Sequence, residues 1–259
     1  MFSDFFKGLS YMKAGFKFVN ANKKLYKYVL IPTLINLALF VVLGYLLYNY
    51  YTPLYGHLNE RMGHLTTTGE GWLNTILSGV IWFFSGILKL LLGLLLVALM
   101  VFTLYIVSQI VNSPFYDLLS EASEEIVLGK NETLPLTLAR LMRDLKNTLI
   151  IELKKMAFFI VVPLLLLILN ILPLIGSILY TLTVNIFAAW AFGFNYLSYP
   201  LTRKQISFGQ QLAISTRFKA NLVGLGAPLM IPFFNLLLGP LFVVGGTLMY
   251  CDLKKAQIL

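Results

Sequence analysis

Residues Trp72 to Val111 form a run of 40 positions broken by a single charge, Lys89, and by no proline. As one helix, rising 1.5 Å per residue, this run is about 60 Å long, roughly twice the hydrocarbon thickness of a bilayer. One end must then leave the bilayer or pack against another subunit. Leu90 to Val111 alone is long enough to span, so the crossing is placed at 90–111, with Trp72 to Leu88 extending outward. Composition agrees with a membrane setting: 58% of the 259 residues are hydrophobic and 12% charged, against about 45–50% and about 25% in soluble domains. An ordinary water-soluble enzyme is excluded. The apolar runs between Tyr28 and Tyr250 leave no stretch for a separate soluble domain, so residues 1–259 read as one all-α, polytopic membrane domain.

A second crossing lies at 28–51, where 24 apolar and tyrosine-rich residues carry no charge and reach about 36 Å. Pro32 is expected to bend this helix or mark its first turns. A polar loop from Thr52 to Gly71 follows. The breaker Asn112-Ser-Pro-Phe-Tyr-Asp117 opens a segment, 112–155, of amphipathic cytoplasmic helices. There Glu121, Glu124 and Glu125 form an acidic stretch, and Leu134, Leu138, Leu141, Leu145, Leu149 and Leu153 share a face. Two broken helical hairpins complete the chain. In 156–197 the leg Met156 to Leu169 is too short to cross, ends at Leu172-Pro-Leu-Ile-Gly176, and is followed by a second leg, Ser177 to Tyr196. In 222–250 a leg of about 13 residues is followed by a turn zone marked by Pro228, Pro232, Asn235, Gly239 and Pro240 and a leg of about 15. Paired, interrupted apolar segments point to a substrate path in a transporter, because broken helices leave backbone groups inside the membrane. The competing reading is two hairpins that only stabilise the fold.

Charge gives orientation. Six lysines precede the first crossing, the loop 52–71 holds only Arg61, the segment 112–155 has six basic residues, Ser198 to Asn221 has four and no acid, and Lys254 and Lys255 end the chain. If each hairpin enters and returns, every basic segment falls on one side, with both termini cytoplasmic. The net charge of +9 is thus explained by topology, and no nucleic-acid partner is expected. The N-terminus reads as retained, because no cleavage pattern follows its lysines. Within 1–22, Phe5, Leu9, Met12, Phe16 and Val19 align on one helical face with lysines off it, as in a helix lying on a membrane surface. The single cysteine, Cys251, excludes an intrachain disulfide.

Candidate functional residues are few. A lysine inside an apolar run, such as Lys89, marks a functional site unless it snorkels to an interface. Glu121, just beyond Asn112, can pair with Arg217 or Arg140 and line a route, or belong to a solvated face. Asn36, Asn170, Asn185, Asn195 and Asn235 place amides in apolar segments, where they coordinate an anion or hold helices together; Asn235, at the turn of the last hairpin, is favoured for the route. His57, Glu60 and His64 lack a zinc spacing. There is no glycine-rich phosphate loop, His-Glu-x-x-His pattern or nucleophile elbow, so neither enzymatic activity nor a cofactor or metal is expected.

Six segments in order then resemble a known family: Val29-Leu-Ile-Pro-Thr-Leu-Ile-Asn-Leu37, Ser113-Pro-Phe-Tyr-Asp-Leu-Leu-Ser-Glu121, Leu172-Pro-Leu-Ile-Gly176, Ala189-Trp190 through Tyr196-Leu-Ser-Tyr-Pro200, Ile231-Pro-Phe-Phe-Asn-Leu-Leu-Leu-Gly-Pro240, and Gly245-Gly-Thr247 to Asp252. They resemble the CysZ sulfate-permease family and its etoposide-induced relatives. The resemblance implies long spanning helices, partly inserted hairpins, homo-oligomeric assembly and sulfate uptake across a bacterial inner membrane for cysteine synthesis. It also implies an anion site at the start of the first spanning helix, where the family carries Gly-Leu-Arg and another basic residue. Here the matching positions are Lys24, Leu25, Tyr26 and Lys27: the glycine and first arginine are absent, and two lysines keep the charge. Asn20 or Asn22 capping a helix with free amides beside lysines favours a dianion, although lysine lacks the bidentate fork of arginine. The same cluster also suits anionic lipid. The sequence therefore predicts an anion permease, most readily for sulfate, with Lys24, Leu25, Tyr26 and Lys27 binding the anion and Lys89, Asn112, Glu121, Arg217 and Asn235 along its path. The alternative is a non-transporting membrane scaffold or lipid-interacting protein of the same fold.

Overall fold

In hydrocarbon every backbone N–H and C=O must find a partner within the protein, which drives an apolar chain into helices. The computed structural model describes residues 2–63, 71–129, 138–231 and 234–258, and among these residues it contains helices and turns but no strand. The helices are α1 (Phe2–Ala21), α2 (Tyr26–Gly63), α3 (Trp72–Leu128), α4 (Leu138–Leu166), α5 (Gly176–Arg203), α6 (Phe208–Arg217), α7 (Lys219–Gly226) and α8 (Phe234–Lys255). Tighter 3-10 turns occupy Lys23–Leu25, Leu167–Ile171 and Ala227–Met230. Among the described residues four stretches are long and apolar enough to cross a membrane: Lys23–His57, Thr75–Leu128, Gly176–Arg203 and Leu237–Lys255. The protein is an all-α polytopic membrane protein.

Several boundaries differ from those read in the sequence, mostly because proline does not stop a helix in an apolar setting. α3 runs through Asn112 and Pro114 as one helix of 57 residues, where the sequence predicts a break. α2 continues for 38 residues to Gly63, so Thr52 to Gly63 is helix and not loop. Its two prolines, Pro32 and Pro53, each have a threonine neighbour that bonds back into the same helix, Thr33 to the Val29 carbonyl at 2.9 Å and Thr52 to that of Tyr48 at 2.8 Å. Asn235, Gly239 and Pro240 lie inside α8 rather than in a turn, giving that leg 22 residues. The turn Leu172 to Ile175 is where the sequence puts it, with Leu174 at φ 68 and fully exposed. His64, Glu70, Pro232 and residues 134–137 lie outside the described residues, as do the side chains of 138–149, which carry most of the leucine face read in 134–155.

The chain divides into two compact units. In the unit formed by residues 36–109, α2 and α3 run antiparallel: Gly44 faces Met100, Tyr51 faces Gly93, and Tyr55 faces Lys89, each advance along α2 matched by an equal retreat along α3. Most of its large apolar side chains are exposed, among them Tyr48, Trp82 and Leu94.

The other unit, residues 1–35 with 110–259, is built on α1, α5, α7 and α8 packed together, with α4 and α6 against α5. Its helix backbones touch. A Cβ at Gly8 would meet the Asn221 carbonyl, at Gly193 that of Leu222, at Gly224 that of Phe5 and at Gly226 that of Ala189. Small residues of this kind let membrane helices gain dispersion contacts along their backbones, since apolar side chains gain little by leaving lipid for protein. The seam also reorients α1. It buries Gly8, Tyr11, Gly15 and Val19 against α7 and α8, so that of the stripe Phe5, Leu9, Met12, Phe16 and Val19 only Val19 is buried, because hydrophobicity alone gives glycine no weight. Between α4, α5 and α6 an aromatic cluster fills the gap, with Trp190 stacked on Phe194 and Phe158 edge-on to Phe208.

Candidate functional site

α1 ends and α2 begins through one tight turn. Leu25 is buried and anchors it, while Lys23, Lys24, Tyr26 and Lys27 are exposed. The Asn22 carbonyl accepts from the Leu25 amide at 2.9 Å, so the amides of Lys23 and Lys24 open the turn with no acceptor ahead of them in the helix. The asparagines do not cap it as the sequence predicts. Asn22 has no side-chain cap bond and its Nδ2 donates to the Phe18 carbonyl at 2.8 Å, while Asn20 Oδ1 accepts from the Tyr26 hydroxyl at 3.3 Å. Asn22 thus serves the end of α1, where the last carbonyls need donors, and Asn20 ties that end to the start of α2 through Tyr26. What remains at the turn is the pair of amides at Lys23 and Lys24 beside three exposed lysines.

The other residues singled out in the sequence fall in both units. Lys89, in the 36–109 unit, is half-buried with its Nζ 5.2 Å from the Tyr55 ring centroid, a cation–π contact. In the packed unit, Asn112 is fully buried and one turn before Tyr116 on α3. Asn235 accepts a hydrogen bond from the Tyr196 hydroxyl, and the hydroxyls of Tyr116 and Tyr196 both flank Gly239. Asn235, Tyr196 and Tyr116 thus meet at the first turns of α8. Tyr116 also packs edge-on against Tyr199, with centroids 5.6 Å apart. Glu121 is half-buried on α3. Arg217 lies over the Phe218 ring at 5.6 Å, and among the described residues no contact joins it to Glu121; the side chain of Arg140 lies outside them.

The acid that does gather cations is Glu124, one turn beyond Glu121. Its carboxylate, 2% exposed, pairs with Arg203, with Lys204 at 3.2 Å and with Lys254 at 3.9 Å, and Arg203 also donates to the Asp117 carbonyl at 3.1 Å. A buried carboxylate survives only with such partners. The C-terminal ends of α3, α5 and α8 are tied together there. α1 joins the same region through the Tyr11 hydroxyl, which donates to Asp252 at 2.8 Å. Burial, reinforced by that bond, holds the Tyr11 phenol well above its ordinary pKa.

A second buried charge is Lys155, fully enclosed on α4. Its ammonium donates to Glu152 at 2.5 Å, Asn195 Oδ1 at 2.9 Å and Ser198 Oγ at 2.7 Å, and lies 5.4 Å from the Tyr199 ring centroid. All three protons have acceptors, the condition for an ammonium to sit away from water. The sequence does not single out Lys155, and it shows Glu124 only as one member of an acidic stretch. A signal was present in α5: Asn195, Ser198 and Thr202 recur at spacings of three and four within an apolar span, marking a polar stripe that needs buried partners. His57 and Glu60 face each other at 3.8 Å on α2, both exposed, and among the described residues no group of three His, Cys, Asp or Glu side chains is arranged to hold a metal.

Comparison with known proteins is consistent over nearly the whole chain. Residues 11–240 match the family described as sulfate transporter CysZ/etoposide-induced protein 2.4. The chain is 27% identical over 250 residues to the sulfate transporter CysZ of Pseudomonas paraeruginosa, covering 94% of each. It is 28% identical over 258 residues to the transporter of that name from Pseudomonas fluorescens, covering 97% of this chain and 96% of the relative. For the corresponding protein of Pectobacterium atrosepticum the identity is 26% over 250 residues, 95% of this chain and 84% of the relative.

Proposed function

The chain belongs to the sulfate transporter CysZ/etoposide-induced protein 2.4 family, and from that premise we propose that it is a membrane permease that passes sulfate. The observation that carries this reading is the match of family and relatives across almost the full length, over a chain with four stretches able to span a bilayer. The turn Lys23 to Lys27 supplies what a dianion needs at the mouth of a path: the first amides of a helical turn and exposed ammonium groups, which raise its local concentration without gripping it. Two lysines in place of an arginine fork make contact through point charges, and weak, exchangeable binding suits passage. Farther along, the amide nitrogen of Asn235 and the guanidinium of Arg217 are donors of the kind that can replace hydration water. Lys89 contributes a single positive charge to the apolar helices of its own unit.

The same reading places the protein in a bacterial inner membrane with both termini in the cytoplasm, works through a homo-oligomer and feeds cysteine synthesis. The orientation is supported by the cluster at Glu124, which draws the basic ends of α5 and α8 to one place, as positive loops on one side require. Oligomerisation is supported by the exposed apolar surface of residues 36–109, which lipid or further copies must cover.

Uptake of labelled sulfate by liposomes holding the purified protein tests the proposal. Sulfate entry above that of empty liposomes is the expected result. Silence toward sulfate, sulfite and chloride alike would overturn it.

A further inference from the structure

A cleft of about 330 Å³ lies between α1 and α8, away from the turn at Lys23 to Lys27. α1 contributes Met12 and Phe16, one turn apart, and α8 contributes Leu238, Leu241 and Phe242 from a single face. Its floor is closed where the helices touch, since a Cβ at Gly15 would meet the Leu241 carbonyl. The remaining lining residues are Lys13 and Lys17, again one turn apart on α1. Both are exposed, and among the described residues neither makes an ion pair. Tyr11 takes Asp252 on the buried side of α1, and the only acid of α1 itself is Asp4, more than two turns away.

This combination constrains the occupant. A cleft walled by hydrocarbon is a poor place for water, which needs two or more polar partners. Its volume falls within the range of small-molecule sites, about 300–1,000 Å³. α1 also leaves Phe2, Phe6 and Phe16 exposed beside its lysines, the make-up of a helix at the membrane interface. We infer that the α1–α8 cleft is a binding site for one anionic phospholipid, an acyl chain lying on Met12, Phe16, Leu238, Leu241 and Phe242 and the phosphodiester meeting the ammonium groups of Lys13 and Lys17. The lipid fills a gap between two helices of the packed unit and acts as part of its fold. The site is separate from the anion-collecting turn and does not depend on sulfate passage.

Native mass spectrometry of the full-length protein in neutral detergent, offered equal phosphatidylglycerol and phosphatidylcholine with identical acyl chains, tests the inference. One phosphatidylglycerol per chain is expected to be retained, preferred roughly thirtyfold, since two lysines near a headgroup together contribute about 2 kcal/mol. Lys13→Gln with Lys17→Gln, a change confined to exposed positions, should erase the preference. Lys7→Gln, on the same helix outside the cleft, should leave it intact, and Leu241→Trp should reduce retention of both lipids by filling the cleft. Equal retention of the two lipids by the unaltered protein would overturn the inference. So would a preference that survives the double lysine change, or displacement of phosphatidylglycerol by sodium sulfate, which would make the lysines a site for free anions.

Discussion

Leu94 and Leu197 are leucines in apolar helices of the same chain, yet Leu94 is 58% exposed and Leu197 is 0% exposed. The contrast extends to their surroundings. The most apolar window of the α3 span is 6% buried within the protein, whereas that of the α8 span, with less than half its hydropathy, is 61% buried. In residues 36–109 apolar character is directed outward and matches a lipid solvent. In the unit of residues 1–35 and 110–259 the interior is made of glycine contacts, aromatic rings and two paired charges. Hydropathy therefore marks where a membrane chain meets lipid, and says little about where it meets itself.

This difference can be tested by substitutions that should act on one region and spare the other. The largest effect is expected at Glu124. Glu124→Ala leaves Arg203 and its neighbouring lysines without their buried carboxylate and should cost about 3–5 kcal/mol in denaturant unfolding of the detergent-solubilised protein. A loss of under about 1 kcal/mol would mean the cluster is solvated. Next is Leu94→Arg, which should oppose membrane insertion by about 3 kcal/mol, seen as loss of protein from the membrane fraction. Normal insertion would contradict a lipid-facing α3. Gly193→Leu forces a side chain into the Leu222 backbone and should destabilise by about 1–3 kcal/mol or more. Gly86→Leu, with open space around it, should stay within about 0.5 kcal/mol, and equal effects at the two glycines would remove the distinction between the regions. Tyr11→Phe, which deletes only the bond to Asp252, should cost about 1 kcal/mol in the same unfolding measurement.

What the sequence revealed follows the same division. The outward-facing helices were legible because periodicity is irrelevant where every side can face lipid, and length alone identifies them. Their extent was not, since the polar residues after Thr52 read as a loop and Pro114 as a breaker on rules for soluble helices, whereas α2 and α3 run on through both. In the packed unit the turn at Leu172 to Ile175 was legible from its proline and glycine. The role of Lys155 was not: its three acceptors lie on α4 itself and on α5, 40 or more residues away in sequence for the latter. The turn at Lys24 to Lys27 was singled out through family resemblance, and a helix begins there. Its supposed caps are otherwise engaged: Asn22 donates to an orphan carbonyl at the end of α1, and Asn20 accepts from the Tyr26 hydroxyl.

The account rests on an anion entering at that turn. Sulfate uptake by liposomes carrying the unaltered protein and the Lys24→Gln, Lys27→Gln variant tests it most directly. The account predicts uptake well above empty liposomes for the first and a fall of roughly tenfold for the second, about 1.4 kcal/mol of lost attraction, with membrane insertion unchanged. Uptake that is identical in the two proteins would contradict it.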